Sequence, residues 1–249
     1  MFLDRTSHKL SFKCELTPNI PIRPGTGKTF TIVEAIRQIF AKDPSSRLLV
    51  CAPSNEAADL ITERLASLGK DALFRLVAPS RGINLVSEQA LPFTYRISNE
   101  EGREVFSVKS SEALQAFRVV VSTCVSAYVP YGVGLQRGHY SHIFIDEAGQ
   151  CPEPEVGVTY LIDCRSNAKS ISKIMISIKL LADQHTRVVL SGDPKQLGPI
   201  IRSRVAGPLG MDASFLDRLA SLELYNEETM SGIKFVICFT PYAELTRHF

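Results

Sequence analysis

An α/β fold, a parallel sheet with helices on both faces, is the class that this 249-residue sequence predicts. Three observations predict it. Short continuous apolar runs recur at 48–52, 119–121, 143–145 and 188–190, as strands covered on both faces require. A helical or polar stretch separates each run from the next, the alternation expected of a parallel sheet. The runs end on small, acidic or turn-forming residues, and ligands of such sheets sit beyond the carboxyl ends of the strands.

The elements follow in order. Residues 1–21 have no clear period and read as an irregular N-terminal segment. After Thr29, the residues Ile32, Val33, Ile36, Ile39 and Phe40 form one helical stripe, which Lys42-Asp43-Pro44-Ser45-Ser46 ends. Leu48-Leu49-Val50-Cys51-Ala52 is the first covered strand. Pro53-Ser54-Asn55 follows, with Asn55 placed to cap a helix that carries Ala58, Ile61, Leu65 and Leu68 on one side. Leu73–Val77 reads as another strand. The polar stretch 79–117 holds a hairpin around Asn99-Glu100-Glu101-Gly102, and the remaining three runs complete the sheet.

Bulk composition bounds the function. The chain is 45% hydrophobic and 22% charged with a net charge of +2, so a nucleic-acid surface has to be local. Its six cysteines have no zinc-ribbon spacing; Cys51 and Cys124 fall in apolar runs that suit buried thiols. This usage points to a reducing compartment, cytosolic or nuclear, and a cytoplasmic setting is the expectation. No apolar run is long enough for a membrane span, so no membrane partner is expected.

Three strand ends carry chemistry. Gly25-Thr26-Gly27-Lys28-Thr29 opens the first helix. Its glycines let backbone N–H groups turn toward phosphate oxygens, and the helix mouth adds partial positive charge. Lys28 is expected to reach the β- and γ-phosphates of ATP and the Thr29 hydroxyl to ligate Mg2+. The plain alternative is a glycine turn before an ordinary helix. Asp146-Glu147 ends the strand His142–Ile145: the first acid suits magnesium positioning, the second a general base that polarises the attacking water. The alternative is a pair of solvated carboxylates. Ser191-Gly192-Asp193-Pro194-Lys195-Gln196 ends the strand at 188–190, where the Gln196 amide is a sensor of γ-phosphate or water, or else the motif is a turn. One sheet gathers all three around one triphosphate.

The set GTGKT, CAPSN, DEAGQ and GDPKQLGP resembles the first RecA-like motor domain of superfamily 1 helicases, within them the up-frameshift-like group. The run SGDPKQLGPIIRSRVAGPLGMDASFLDRL is most similar to the Armitage-like RNA-silencing helicases. The resemblance implies a RecA-like P-loop NTPase domain over 22–225, with 79–117 as an accessory insertion. It implies that Gly25, Thr26, Gly27, Lys28 and Thr29 hold the nucleotide together with Asp146 and Gln150. Thr29 and Asp146 then bind the metal, Glu147, Lys28 and Gln196 serve catalysis, and Gln196 couples nucleotide state to the nucleic-acid track. It further implies that Pro53, Ser54, Asn55, Ser122 and Thr123 contact nucleic-acid phosphates through backbone and hydroxyl donors. Single-stranded RNA is the implied partner, with DNA also open, and RNA-silencing proteins are partners by resemblance only.

The sequence departs from the family pattern in three places. Ile22 and Arg23 stand where Gly-Pro is usual, after a proline-rich approach at 15–21 that suits a central strand poorly. Residues 157–175 form an atypical insertion. The segment 226–249 reads as a truncated tail, without the second motor domain that supplies transition-state arginines worth ~10³–10⁵ in rate. The expected function is therefore an ATP-binding helicase module with weak or no activity alone. A nucleotide-independent nucleic-acid-binding or scaffold fragment and an oligomeric P-loop ATPase of another kind remain open at this point.

Overall fold

The computed structural model describes residues 28–150, 178, 180–192, 214 and 238–241 of the chain. The helix expected after the glycine motif is α1 (Lys28–Lys42), and the capped helix is α2 (Asn55–Leu65). The large sheet contains β1 (Leu48–Ala52), β2 (Leu73–Arg75), β5 (Val119–Thr123), β6 (His142–Ile145), β7 (Arg187–Leu190) and β8 (Cys238–Pro241), in the order β2-β5-β1-β6-β7-β8. Strands β2, β5, β1, β6 and β7 are parallel; β8 runs antiparallel beside β7. A separate two-stranded hairpin joins β3 (Arg96–Ser98) to β4 (Glu104–Phe106).

Both faces of the sheet are covered because every position of β1, at its centre, is apolar or small. Successive residues of a strand point to opposite faces. Leu48, Val50 and Ala52 thus meet Ile32, Val33 and Ile36 of α1 and Ala58, Ile61 and Leu65 of α2 on one side. Leu49 and Cys51 meet Ile143, Ile145, Val188, Tyr140, Ile178 and Leu181 on the other. The stripe read from the sequence of α1 is the buried one, and its far side leaves Phe30 exposed. Cys51 and Cys124 are both buried thiols.

Three local outcomes differ from the sequence reading. Strand β2 stops at Arg75 rather than Val77, since the Leu76 N–H is the last to bond back to β5, at Val121 O. Ser54, not Asn55, caps α2: its backbone is extended and its hydroxyl accepts the Ala57 N–H at 3.1 Å. Residues 238–241, placed in the tail, form an edge strand of the sheet. The hairpin falls where expected, closed by Gly102 N–H to Asn99 O with Gly102 at φ 75°, a backbone region glycine enters without strain. No helix among the described residues is long and apolar enough to cross a membrane.

Candidate functional site

The register of the sheet builds the site. Ala52 pairs with Thr123, Cys51 with Ile145, and Ile145 with Leu190. The four strands therefore finish nearly level, and the residues just beyond them (Pro53, Cys124, Asp146 and Ser191) share one edge. The ladder continues past the strand ends: Asp146 N–H bonds to Cys51 O, Cys124 N–H to Ala52 O, and Ser191 N–H to Ile145 O. The turn after β6 is thus held from both sides, and Ala148 N–H fastens it again to Ser191 O at 2.7 Å.

The first turn of α1 reaches this edge. Thr29 Oγ1 donates to Asp146 Oδ2 at 2.9 Å, and Lys28 Nζ lies 3.9 Å from Glu147 Oε2. Gln150 Nε2 donates to the same Glu147 oxygen at 2.9 Å, from the short 3-10 turn Ala148–Gln150. Asp146 Oδ1 accepts the Glu147 N–H at 3.0 Å. Lys28, Thr29, Asp146, Glu147 and Gln150, distant in sequence, are therefore brought together. Glu147 has φ 51°, in the left-handed region, a conformation that costs a non-glycine residue roughly 1–2 kcal/mol. Such a cost persists only where neighbours over-determine the geometry; here the ladder on one side and Ala148 on the other do so.

Electrostatics are set by burial. Asp146 is 1% exposed. Desolvation pushes its carboxyl above the ordinary aspartate value, against the hydrogen bonds from Thr29, Glu147 N–H and Ser191 and the charge of Lys28. A carboxylate held in this way gains most from a hard cation. Thr29 hydroxyl and Asp146 carboxylate are oxygen donors side by side, the donor type that Mg2+ prefers, and a pair of them leaves further ligand positions to phosphate and water.

The other expected site residues divide. Pro53 and Asn55 are half-buried and Ser54 is exposed, at the open corner past β1. Ser122 is completely buried, with its Oγ 3.8 Å from Cys51 Sγ. The Thr123 hydroxyl is turned inward too: it donates to Ser126 Oγ at 3.0 Å and accepts the Ser126 N–H at 3.1 Å. Gly25, Thr26, Gly27 and Gln196 lie outside the described residues, as do 157–175 and most of 226–249.

Two features escaped the sequence reading. Ser191 reads in the sequence as part of a turn motif, yet it is buried and its side chain bonds to Asp146. Arg75, Asp59 and Arg81 form a buried ionic cluster beneath Asn55. The signal was present in part: Asp59 sits beside Ala58 and Thr62 on the inward face of α2, where an acid needs a partner.

Comparison with known proteins gives concordant results. The AAA domain family matches residues 14–109 and 94–204. The chain is 38% identical over 223 residues to "RNA helicase Mov10l1" of Homo sapiens, covering 88% of this chain and 16% of that protein. It is 32% identical over 224 residues to "Probable RNA helicase armi" of Drosophila melanogaster, covering 82% of this chain and 17% of the relative. To "Regulator of nonsense transcripts 1 homolog" of Neurospora crassa it is 32% identical over 225 residues, 80% of this chain and 18% of the other. The chain thus spans less than a fifth of the length of each of these relatives.

Proposed function

The chain belongs to the superfamily 1 helicases, as the first motor domain of their Armitage-like branch, and on that premise we propose that it binds ATP with Mg2+ at the strand edge and couples this to single-stranded RNA. The observation that carries the reading is the meeting of two segments more than a hundred residues apart: Lys28 and Thr29 at the mouth of α1, Asp146 and Glu147 at the end of β6. An ammonium group, a hydroxyl and two carboxylates in one place are what a metal-chelated triphosphate needs.

In this reading Gly25, Thr26 and Gln196 complete the nucleotide site, with Gly27 before Lys28, and residues 22–225, joined by the edge strand at 238–241, make up the ATP-binding domain. Lys28 leaves Glu147 for the phosphates when nucleotide enters, and Thr29 and Asp146 are the residues that would hold Mg2+. Glu147 takes the proton from the attacking water, and Gln150 steadies it from the far side. Magnesium supplies charge neutralisation for the transferring phosphoryl group.

The nucleic-acid strand runs past the corner of Pro53, Ser54 and Asn55. At the end of β5, the inward hydroxyls of Ser122 and Thr123 leave contact to the main chain of the following turn. The family relation favours RNA, since two of the quoted relatives are named RNA helicases.

Glu147→Gln tests the reading. It keeps a side chain that Gln150 and Lys28 can meet but removes the base. ATP binding by equilibrium titration is expected to stay within about twofold, while single-turnover hydrolysis falls by about 10²-fold or more. Unchanged hydrolysis in this variant overturns the assignment of Glu147.

A further inference from the structure

The corner past β1 is supported by ions that the nucleotide site does not use. Arg75, the last residue of β2, is completely buried. Its Nε donates to Asp59 Oδ1 at 2.9 Å and its Nη1 to Leu76 O at 2.6 Å. Its Nη2 faces Asn55, 3.2 Å from Oδ1 and 3.5 Å from the backbone carbonyl. Asp59 is gripped from the other side by Arg81, with Nη1 at 3.1 Å from Oδ1 and Nη2 at 2.8 Å from Oδ2. Arg81 in turn donates to Leu85 O. Asn55 and Asp59 are four residues apart on α2, so they lie on one helix face and one guanidinium reaches both.

This arrangement fixes the Asn55 amide. A guanidinium has only donors. The end of the amide that meets it is therefore the carbonyl oxygen, and the NH₂ end is turned the other way. One carboxylate faces two guanidinium groups, and Glu56, the next residue along α2, also acts on Arg75, so the acids and arginines of this corner balance. An outward pair of N–H donors suits an anionic partner.

We propose that Arg75 is a positioning residue for nucleic-acid binding: its guanidinium holds the carbonyl end of the Asn55 amide, so that the two N–H donors of that amide present to a phosphate of a bound single strand. The proposal rests on the nucleic-acid reading of the corner. Arg75 itself touches no ligand; it acts through Asn55, and Arg81 and Asp59 hold it in place. The hydroxyl of Ser54 accepts a bond from Ala57 N–H and keeps its own O–H as one donor, and the orientation of Asn55 decides whether this corner offers two more.

The test is an anisotropy titration of the 249-residue chain against a short fluorescein-labelled oligouridine at low salt. Asn55→Asp keeps the acceptor that Arg75 holds and removes the donors; its Kd is expected to rise about tenfold or more with the fold retained. Arg75→Lys keeps the charge opposite Asp59 but lacks the fork that spans both partners, and should weaken binding about five- to tenfold. In an Asn55→Ala background the same Arg75→Lys change is expected to weaken binding no further, because the group it positions is gone. Equal factors in both backgrounds, or an Arg75→Lys chain that binds as tightly as wild type, overturns the proposal. If Arg75→Lys does not fold, the Asn55 side-chain amide of the wild-type chain decides by nitrogen relaxation. A held amide gives an order parameter near about 0.85, and a value below about 0.6 overturns the proposal. Unchanged binding by Asn55→Ala sinks the nucleic-acid reading of this corner as well. A loss there without dependence on Arg75 sinks this proposal alone.

Discussion

Thr29 Oγ1 donates a hydrogen bond to Asp146 Oδ2 at 2.9 Å, tying the first turn of α1 to the end of β6 across 117 residues of chain. The acceptor is almost wholly buried, and its neighbours are a hydroxyl, a backbone N–H, the Ser191 side chain and an ammonium group. A carboxylate in such a place is costly without its cation, which makes the metal-free protein sensitive to pH.

Asp146 has its carboxyl raised above the ordinary 3.8 chiefly by burial. The folded chain then holds this proton more tightly than the unfolded chain. Its contribution to stability is fully present below the ordinary value and is lost as pH rises through the raised one. Asp146→Asn removes that loss. In chelator, urea unfolding should find the variant more stable than wild type at neutral pH and the difference shrinking as pH falls toward 3.8. A difference that grows on acidification contradicts the assignment.

Glu147 sits at φ 51° for the sake of geometry, not stability. Glycine adopts that backbone freely. Glu147→Gly is expected to leave the unfolding free energy within about 1 kcal/mol of wild type, because relief of strain offsets the greater freedom of an unfolded glycine and the lost contacts to Lys28 and Gln150, while hydrolysis is lost. A loss of more than about 2 kcal/mol in denaturant titration would show that the turn is held differently.

Arg118 closes the far end of α1. Its guanidinium lies 3.7 Å from the centroid of the Phe40 ring, and Nη2 donates to Phe40 O at 2.9 Å and Asp43 O at 2.7 Å. These are carbonyls at a helix C-terminus, which a cation satisfies well. Arg118→Ala should cost about 2 kcal/mol in chemical denaturation, and Arg118→Lys about half of that, since lysine lacks the planar fork.

The two sides of α1 should respond differently. Ile36 is completely buried between helix and sheet, and Ile36→Ala is expected to cost about 2–5 kcal/mol. Phe30 is 52% exposed, and Phe30→Ser should stay within about 0.5 kcal/mol. Similar losses at both positions would mean that the helix is turned about its axis.

How far the sequence could be read depends on the range of the forces involved. The central strands were legible because covered strands need unbroken apolar residues, and the stripe of α1 because burial repeats with the helical period. Asp146, Glu147, Lys28 and Thr29 could be singled out by residue type and by their place at element ends; their convergence at 2.9 and 3.9 Å needed the sheet order, which no local pattern encodes. By residue type both Ser54 and Asn55 suit the cap of α2, and only the backbone geometry selects Ser54 over the expected Asn55. Arg75 stood unmarked at the end of a short strand. Its meaning came from Asp59, Arg81 and Asn55, which are remote in sequence and adjacent in space. The burial of Ser122 follows from its place in a strand covered on both faces, once the bounds of β5 are known.

The most direct measurement is equilibrium binding of a fluorescent ATP analogue to the 249-residue chain, with Mg2+ or excess chelator, for wild type and Lys28→Ala. The account predicts binding that needs magnesium and weakens about 30-fold or more when Lys28 loses its charge. Equal affinity in chelator, or in the Lys28→Ala variant, would contradict it.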